Sequence, residues 1–523
     1  MIRYEAFLRA SAERDPGRVA IVCNGARTTY AELHDASERF AASLVAQAEF
    51  ERGERCVLFI DNRLETAVGI FGTLRAGGVF SVINPTTKAD KLAYVLNNCE
   101  ASVLVTQAAL LPVAMSAARQ APSVRCIVVA DSEGDSGTIS WDAFMAATQA
   151  ALPDAPRGID NDLAMLVYTS GSTGQPKGVM MTHRNVVHAA TSVTTYLEAR
   201  ASDVVLSVLP LAFDYGLYQL LMCVKVGATL VLEKSFAFPQ KILPMLASEG
   251  VTGFPLVPTM AALIVQLRNF NPDWAASVRY LTNTAAALPP AHIFKLQELF
   301  PNARVYSMYG MTESKRCTYL PPEQLSKRPD SVGIAIPGTE VWVADDDGKR
   351  VAPNVVGELV VRGGHVMRGY WRNEEATNKA LKTSGTYPWE KVLHTGDLFR
   401  MDEEGYCYFV GRKDDIIKSR GEKVSPKEIE NVLYALPGIK EAAVVGVPDE
   451  VLGRALKAIV VLAEGTELAA REIVSHCLAR LEDFMVPRQI EFRESLPKTN
   501  TGKIRRAALQ AEAEGRVLPA EDE

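Results

Sequence analysis

The chain has 523 residues, 48% of them apolar and 23% charged, with a formal net charge of −6. That length exceeds what one hydrophobic core holds, so two to four structural units are expected, with the composition of an ordinary globular protein. The acidic balance argues against a nucleic-acid surface as the main business, and no apolar run reaches the roughly 20 residues a membrane helix needs.

The opening segment, Met1 to Phe7, is amphipathic with an acid at Glu5, unlike a secretory signal. Eight cysteines are scattered without a Cys-x-x-Cys pair. That usage is expected of reduced core residues in a cytoplasmic protein, with neither disulfides nor zinc. Residues 1–25 read as a helix, ended by Asp15-Pro16, and a strand over Val19–Cys23. Thr29 is the predicted N-cap of the next helix, with Glu32 as its reciprocal partner. Further strands are predicted over Val57–Ile60, Phe80–Ile83, Ser102–Thr106 and Val124–Val129, and a helix over Glu65–Ala76. This strand–helix alternation predicts an α/β fold with parallel sheets. Residues 131–161 are polar and turn-rich and read as a connection.

The next stretch, residues 163–178, organises the rest. Leu163 to Tyr168 reads as a buried strand, and it empties into a loop rich in glycine and hydroxyls. Gly171, Gly174 and Gly178 let the backbone turn and approach a ligand closely. Successive N–H groups in such a loop form an anion-binding concavity. Thr169, Ser170, Ser172 and Thr173 add donors, and Lys177 adds a cation. A polyphosphate needs this combination. The loop is not a Walker A sequence, because Pro176 precedes Lys177 and Gly178 follows it. The plainer alternative is a Ser/Gly-rich surface linker. The pattern resembles the phosphate loop of the adenylate-forming superfamily: acyl-CoA synthetases, adenylation domains of peptide synthetases, and luciferases.

Downstream, a helix over Asn185–Tyr196 and strands over Val204–Val208, Thr229–Leu232 and Gly253–Val257 are predicted. Phe213-Asp214-Tyr215-Gly216 opens a helix running to Val224. Asp214 reads equally as a helix N-cap or as the carboxylate that, by resemblance to amino-acid-activating members, receives a substrate ammonium. A buried carboxylate needs a cationic partner, and no basic residue lies near Asp214 in sequence. Residues 280–287 occupy the place of the family's adenine loop, with Thr284 and Ala285 where relatives usually carry glycine. A second motif, Tyr309-Gly310-Met311-Thr312-Glu313, follows Met308 and a strand. Tyr309 can stack on a purine and Thr312 can reach a phosphate. Glu313 is a hard oxygen ligand suited to Mg²⁺, or a plain helix-starting acid. Residues 332–371 read as an antiparallel β unit, giving the large domain a barrel-like part.

The resemblance implies more for the remaining motifs. In His394-Thr395-Gly396-Asp397, the aspartate would hold the ribose hydroxyls, against the alternative of a turn aspartate. Arg412 resembles a second ribose contact, and Asp414 the pivot between domains. The segment 416–426, with Lys418, follows the acyl-CoA ligase form of its motif. Lys503, in Pro497-Lys498-Thr499-Asn500-Thr501-Gly502-Lys503, would bridge the substrate carboxylate and the phosphate. A mobile point charge suits that work. The expected organisation is a large N-terminal domain over 1–411 and a small mobile α/β domain over 412–523. Helices are expected over Pro426–Ala435 and Ala470–Leu481, and a disordered acidic tail after Leu509.

The chemistry implied is attack of a carboxylate on Mg·ATP, giving an acyl-adenylate, then transfer to a thiol. Phe213, Asp214, Tyr215, Tyr218, Pro255, Thr284 and Met308 are the expected acid-binding residues. Stand-alone aminoacyl ligases such as L-proline–carrier-protein ligases are the likeness at Asp214, with a carrier protein's phosphopantetheine as acceptor. The 416–426 segment favours an acyl- or aryl-CoA synthetase with CoA as acceptor. A P-loop ATPase or kinase is the alternative from another class, and the missing Gly-Lys-Ser/Thr stands against it.

Overall fold

The computed structural model describes residues 3–134, 137–146, 152, 157–169, 175–284, 288–413, 415, 417–419, 422–449, 453–481, 485–499 and 504–515. Five of the predicted site residues, Ser170 to Gly174, lie outside that set, as do Asp414 and Lys503; so does the side chain of Lys418.

Among the described residues, two large sheets form the N-terminal part. The eight-stranded sheet has its parallel core in 163–169, 79–83, 55–59, 101–107 and 126–130, in that spatial order. The nine-stranded sheet has 304–309, 280–283, 253–256, 204–207, 229–232 and 19–23 as its parallel run. These strands read as near-continuous apolar runs because helices cover both faces. The helices Tyr30–Gln47, Leu64–Arg75, His183–Tyr196 and Asp214–Val226 contribute buried side chains to one apolar core shared with both sheets. A third, antiparallel sheet of five strands holds 339–344, 357–363, 391–401, 381–383 and 407–412. The C-terminal part is smaller: a hairpin over 417–419 and 422–424, and a three-stranded sheet over 439–449, 453–462 and 489–492.

Local chemistry explains the element ends. Thr29 accepts from the Glu32 amide while the Glu32 carboxylate accepts from Thr29, so both members of the predicted capping box are formed. Thr182 and Asn185 make the same exchange at the start of the 183–196 helix. Gly227 closes the 214–226 helix in the left-handed conformation, at φ 80°.

Four readings need correction. Asp214 is the first residue of its helix and Phe213 occupies the cap position without a side-chain bond, so Asp214 is not an N-cap. The 391–401 strand runs on through Asp397, with a register shift between Leu398 and Phe399, so Asp397 lies in a strand rather than a simple turn. The chain after Leu509 is not wholly disordered tail: a helix spans Arg506–Ala513 and buries Leu509 and Ala511. Its apolar face packs on the back of the small sheet, against Ala443, Val445 and Ile459. Residues 131–161, read as a connection, also contain a short strand, Ile139–Ser140, and a helix, Trp141–Ala146. All eight cysteines are buried free thiols. No described helix is long and apolar enough to cross a membrane.

Candidate active site

In open parallel sheets, ligands bind outside the carboxyl ends of the strands. The predicted residues gather there. The 204–207 strand leads to Pro210 and Asp214, the 253–256 strand carries Pro255, the 280–283 strand leads to Thr284, and the 304–309 strand ends at Met308-Tyr309. From the other large sheet, Thr169 ends one strand and Lys177 begins the next, and the two are register partners.

A first cluster joins Tyr309, Asp397 and Arg412. The Tyr309 hydroxyl donates to Asp397 Oδ2 at 2.6 Å. Arg412 Nε lies 3.6 Å from Asp397 Oδ1. Burial raises the Asp397 carboxyl above the usual carboxylate value, and the Tyr309 bond and Arg412 oppose it. A carboxylate has about four acceptor positions, so these two partners leave room for further hydroxyl donors. The Tyr309 ring packs edge-on against Phe399 at 4.8 Å between centroids and lies 6.3 Å from Phe409. Behind Asp397, Glu358 accepts from the Gly396 amide at 2.9 Å and meets His394 at 3.3 Å and Lys413 at 3.7 Å. Burial works against the Glu358 charge, but these three partners outweigh it and bring the carboxyl down to about 2.

A second cluster joins Lys177, Tyr370 and Glu313. The Tyr370 hydroxyl donates to Glu313 Oε1 at 2.7 Å. Lys177 Nζ sits 5.5 Å from the Tyr370 ring centroid. The Trp371 amide donates to the Gly178 carbonyl, tying Tyr370 to the strand that carries Lys177. The cation after the phosphate loop and the predicted metal carboxylate therefore meet on one tyrosine. Thr312 precedes Glu313 on the same turn. That turn is tight: a Cβ on Gly310 would lie 2.0 Å from the Lys315 carbonyl oxygen. For Mg²⁺, Glu313 supplies the kind of hard oxygen donor that pairs with phosphate oxygens and water.

The third cluster surrounds Asp214. Arg316 Nη1 lies 3.9 Å from Asp214 Oδ2, and its guanidinium stacks on Tyr215 at 4.7 Å. The Tyr215 hydroxyl meets the Thr282 carbonyl and hydroxyl oxygens at 2.8 Å. Lys315 Nζ lies 5.3 Å from the Tyr218 ring centroid. The Tyr196 hydroxyl donates to Met308 Sδ at 2.9 Å. A Cβ on Gly216 would meet the Pro210 carbonyl oxygen at 2.3 Å, so the helix start sits tight against the preceding turn. Pro255, in one strand, and Thr284, just past the end of the adjoining strand, are both buried.

Sequence reading missed Tyr370, Lys315 and Arg316. The last two follow the Tyr-Gly-x-Thr-Glu motif after one residue, Ser314, and two adjacent bases just before a strand were a signal available in the sequence. The carboxylate at Asp214, with no base near it in sequence, finds its cationic partner in Arg316, 102 positions further along the chain.

A large domain of two helix-covered sheets and an antiparallel barrel-like unit, followed by a small α/β domain, with acid, tyrosine and lysine converging at the strand ends, defines an adenylate-forming enzyme. The chain belongs to the AMP-binding enzyme family: the family model matches residues 8–371, and the model of the family's C-terminal domain matches residues 428–503. It is 30% identical to a long-chain-fatty-acid–CoA ligase of Bacillus subtilis over 539 aligned residues, covering 98% of this chain and 94% of the relative. Its fold matches ATP-bound MatB from Rhodopseudomonas palustris with a TM-score of 0.87 and 28% identity, over 98% of this chain and 99% of that one. It also matches the o-succinylbenzoate CoA synthetase of Bacillus subtilis in complex with its acyl-adenylate intermediate, with a TM-score of 0.82 and 28% identity, over 96% and 97% of the two chains. The protein is an AMP-forming ligase that adenylates a carboxylic acid with ATP and Mg²⁺.

Proposed function

We propose that the enzyme is a carboxylate–CoA ligase, forming an acyl-adenylate and passing its acyl group to the thiol of CoA. The observation that carries the nucleotide half is the Tyr309–Asp397–Arg412 cluster standing beside the Lys177–Tyr370–Glu313 cluster. In this reading Asp397 and Arg412 hold the ribose, and Tyr309 faces the base. Thr169, the loop Ser170, Gly171, Ser172, Thr173, Gly174, and Lys177 bind phosphate, with Thr312 beside them. Glu313, steadied by Tyr370, would hold Mg²⁺, which would supply positive charge against the phosphates. An oxygen of the substrate carboxylate attacks the α-phosphorus in line, and pyrophosphate leaves. Catalysis is positioning plus stabilisation of charge developing on phosphorus, with Lys503 as the cation at that centre. In the second step the thiol sulfur attacks the acyl carbonyl carbon, the bond to the AMP oxygen breaks, and the thiol proton goes to solvent. The domain division falls at 411/412, and Asp414 is the pivot that exchanges Lys503 for Lys418 between the steps.

CoA as acceptor is supported by relatives of nearly full matching length that are themselves CoA ligases and by the form of segment 416–426. The amino-acid and carrier-protein reading has less physical support, because Arg316 already stands beside the Asp214 carboxylate that would receive an ammonium. ATP–pyrophosphate exchange against fatty, aryl, dicarboxylic and amino acids, L-proline included, tests the first step. Product analysis with CoA and with a phosphopantetheinylated carrier protein tests the second. Acid-dependent exchange and acyl-CoA formation are expected. Release of orthophosphate without exchange would defeat the reading.

A further inference from the structure

The pocket around Asp214 holds more positive charge than its own acid balances. Lys315 is 1% exposed, and among the described residues its Nζ has no hydrogen-bond partner. Arg316, 4% exposed, has its charge opposed by Asp214 at 3.9 Å and stacks on the Tyr215 ring, while its Nε has no hydrogen-bond partner among the described residues. Glu313 is engaged by Tyr370 and, on the reading above, by the metal. Two cations thus face one carboxylate in this cluster, and Lys315 is the surplus. A buried ammonium without a partner is costly, and a protein keeps one where a ligand completes it. The Tyr218 hydroxyl and Thr284 Oγ1, both buried, also have no partner among the described residues. Lys315 is held in place by its backbone: its amide donates to the Met311 carbonyl at 2.6 Å, and its φ is +60°. That left-handed conformation is uncommon for a long side chain and is enforced here by the turn packed against Gly310.

We propose, resting on the ligase reading above, that the acid this enzyme activates carries a second anionic group, a carboxylate, and that Lys315 receives it. One surplus ammonium matches one monovalent anion, whereas a phosphate dianion would call for a second uncommitted cation. An ammonium-bearing substrate would meet Lys315 and Arg316 as like charges.

The test compares dicarboxylic acids of three to eight carbons with monocarboxylic acids of the same length. Pyrophosphate exchange gives kcat/KM, and calorimetry gives binding of each acid to the full-length enzyme with AMP present. Wild type is expected to favour the dicarboxylic partner by at least about tenfold, the scale of a hydrogen bond to a charged group. In Lys315→Met that ratio is expected to fall at least about tenfold, through KM, with the same loss in binding. Exchange with monocarboxylic acids at equal or higher kcat/KM in wild type would overturn the proposal and leave the ligase reading intact. An unchanged ratio in Lys315→Met would overturn the role of Lys315. Absence of exchange with every acid would defeat the ligase reading and this proposal together. The wild-type ratio needs no variant, so a Lys315→Met protein that fails to fold does not shield the proposal.

Discussion

Tyr370 fixes Glu313 by one hydrogen bond of 2.7 Å and stands under Lys177. A group of this kind orients a metal ligand without touching the metal, and losing it typically costs 10–100-fold in metal affinity. Tyr370→Phe is therefore expected to raise the Mg²⁺ concentration for half-maximal pyrophosphate exchange about tenfold, with KM for ATP little changed at saturating Mg²⁺. An unchanged Mg²⁺ dependence would remove Tyr370 from that role. At this scale the sequence was legible where chemistry is local. Tyr309, Glu313 and Asp397 could be picked out from their motifs, because each motif is read from a few consecutive residues. Asp214 was half legible: its residue type and place were readable, but its partner Arg316 arrives from the 318–319 side of the same sheet, and pairing between distant strands of one sheet leaves no trace in spacing.

At the scale of elements, the turn 310–315 decides where three functional side chains point. Gly310 has no room for a methyl group, since the Lys315 carbonyl oxygen would lie 2.0 Å from it. Gly310→Ala is expected to destabilise the fold by about 1–3 kcal/mol and to abolish exchange by displacing Glu313 and Lys315 together. Thermal melting and exchange rates check this, and a variant matching wild type in both would show that the turn can yield. Most strands and helices of the parallel sheets were readable because buried parallel strands are apolar throughout and their helices carry a stripe. The Thr29–Glu32 box was readable from four residues alone. The 506–513 helix was not: its few apolar positions, Leu509 and Ala511 among them, look like a tail until the back of the small sheet is there to cover them.

At the scale of the molecule, the antiparallel unit hands over to the small domain through few polar links. The Ser425 hydroxyl donates to the Val410 carbonyl, and Lys413 bonds Asp346 at 2.8 Å. Within the small domain Arg506 bridges Asp415 at 3.2 Å and Glu430 at 2.6 Å. Among the described residues no apolar core cluster joins the two sides of this junction, which is compatible with rigid-body rotation. On the proposed two-pose cycle, Lys503→Ala should lower adenylation by about 10²–10³ while acyl-CoA still forms from supplied acyl-adenylate. Loss of both steps in rapid-quench assays would count against separate poses.

Every native sulfhydryl is shut away from solvent, and burial raises those of Cys56 and Cys407 to about 12. The thiolate is the form that attacks alkylating dyes, so the folded enzyme offers them almost nothing to react with. A cysteine engineered onto the face of each domain would thus take a fluorophore pair against a silent background, and energy transfer between the two would time the proposed swing of one domain against the other during a single turnover, or show its absence.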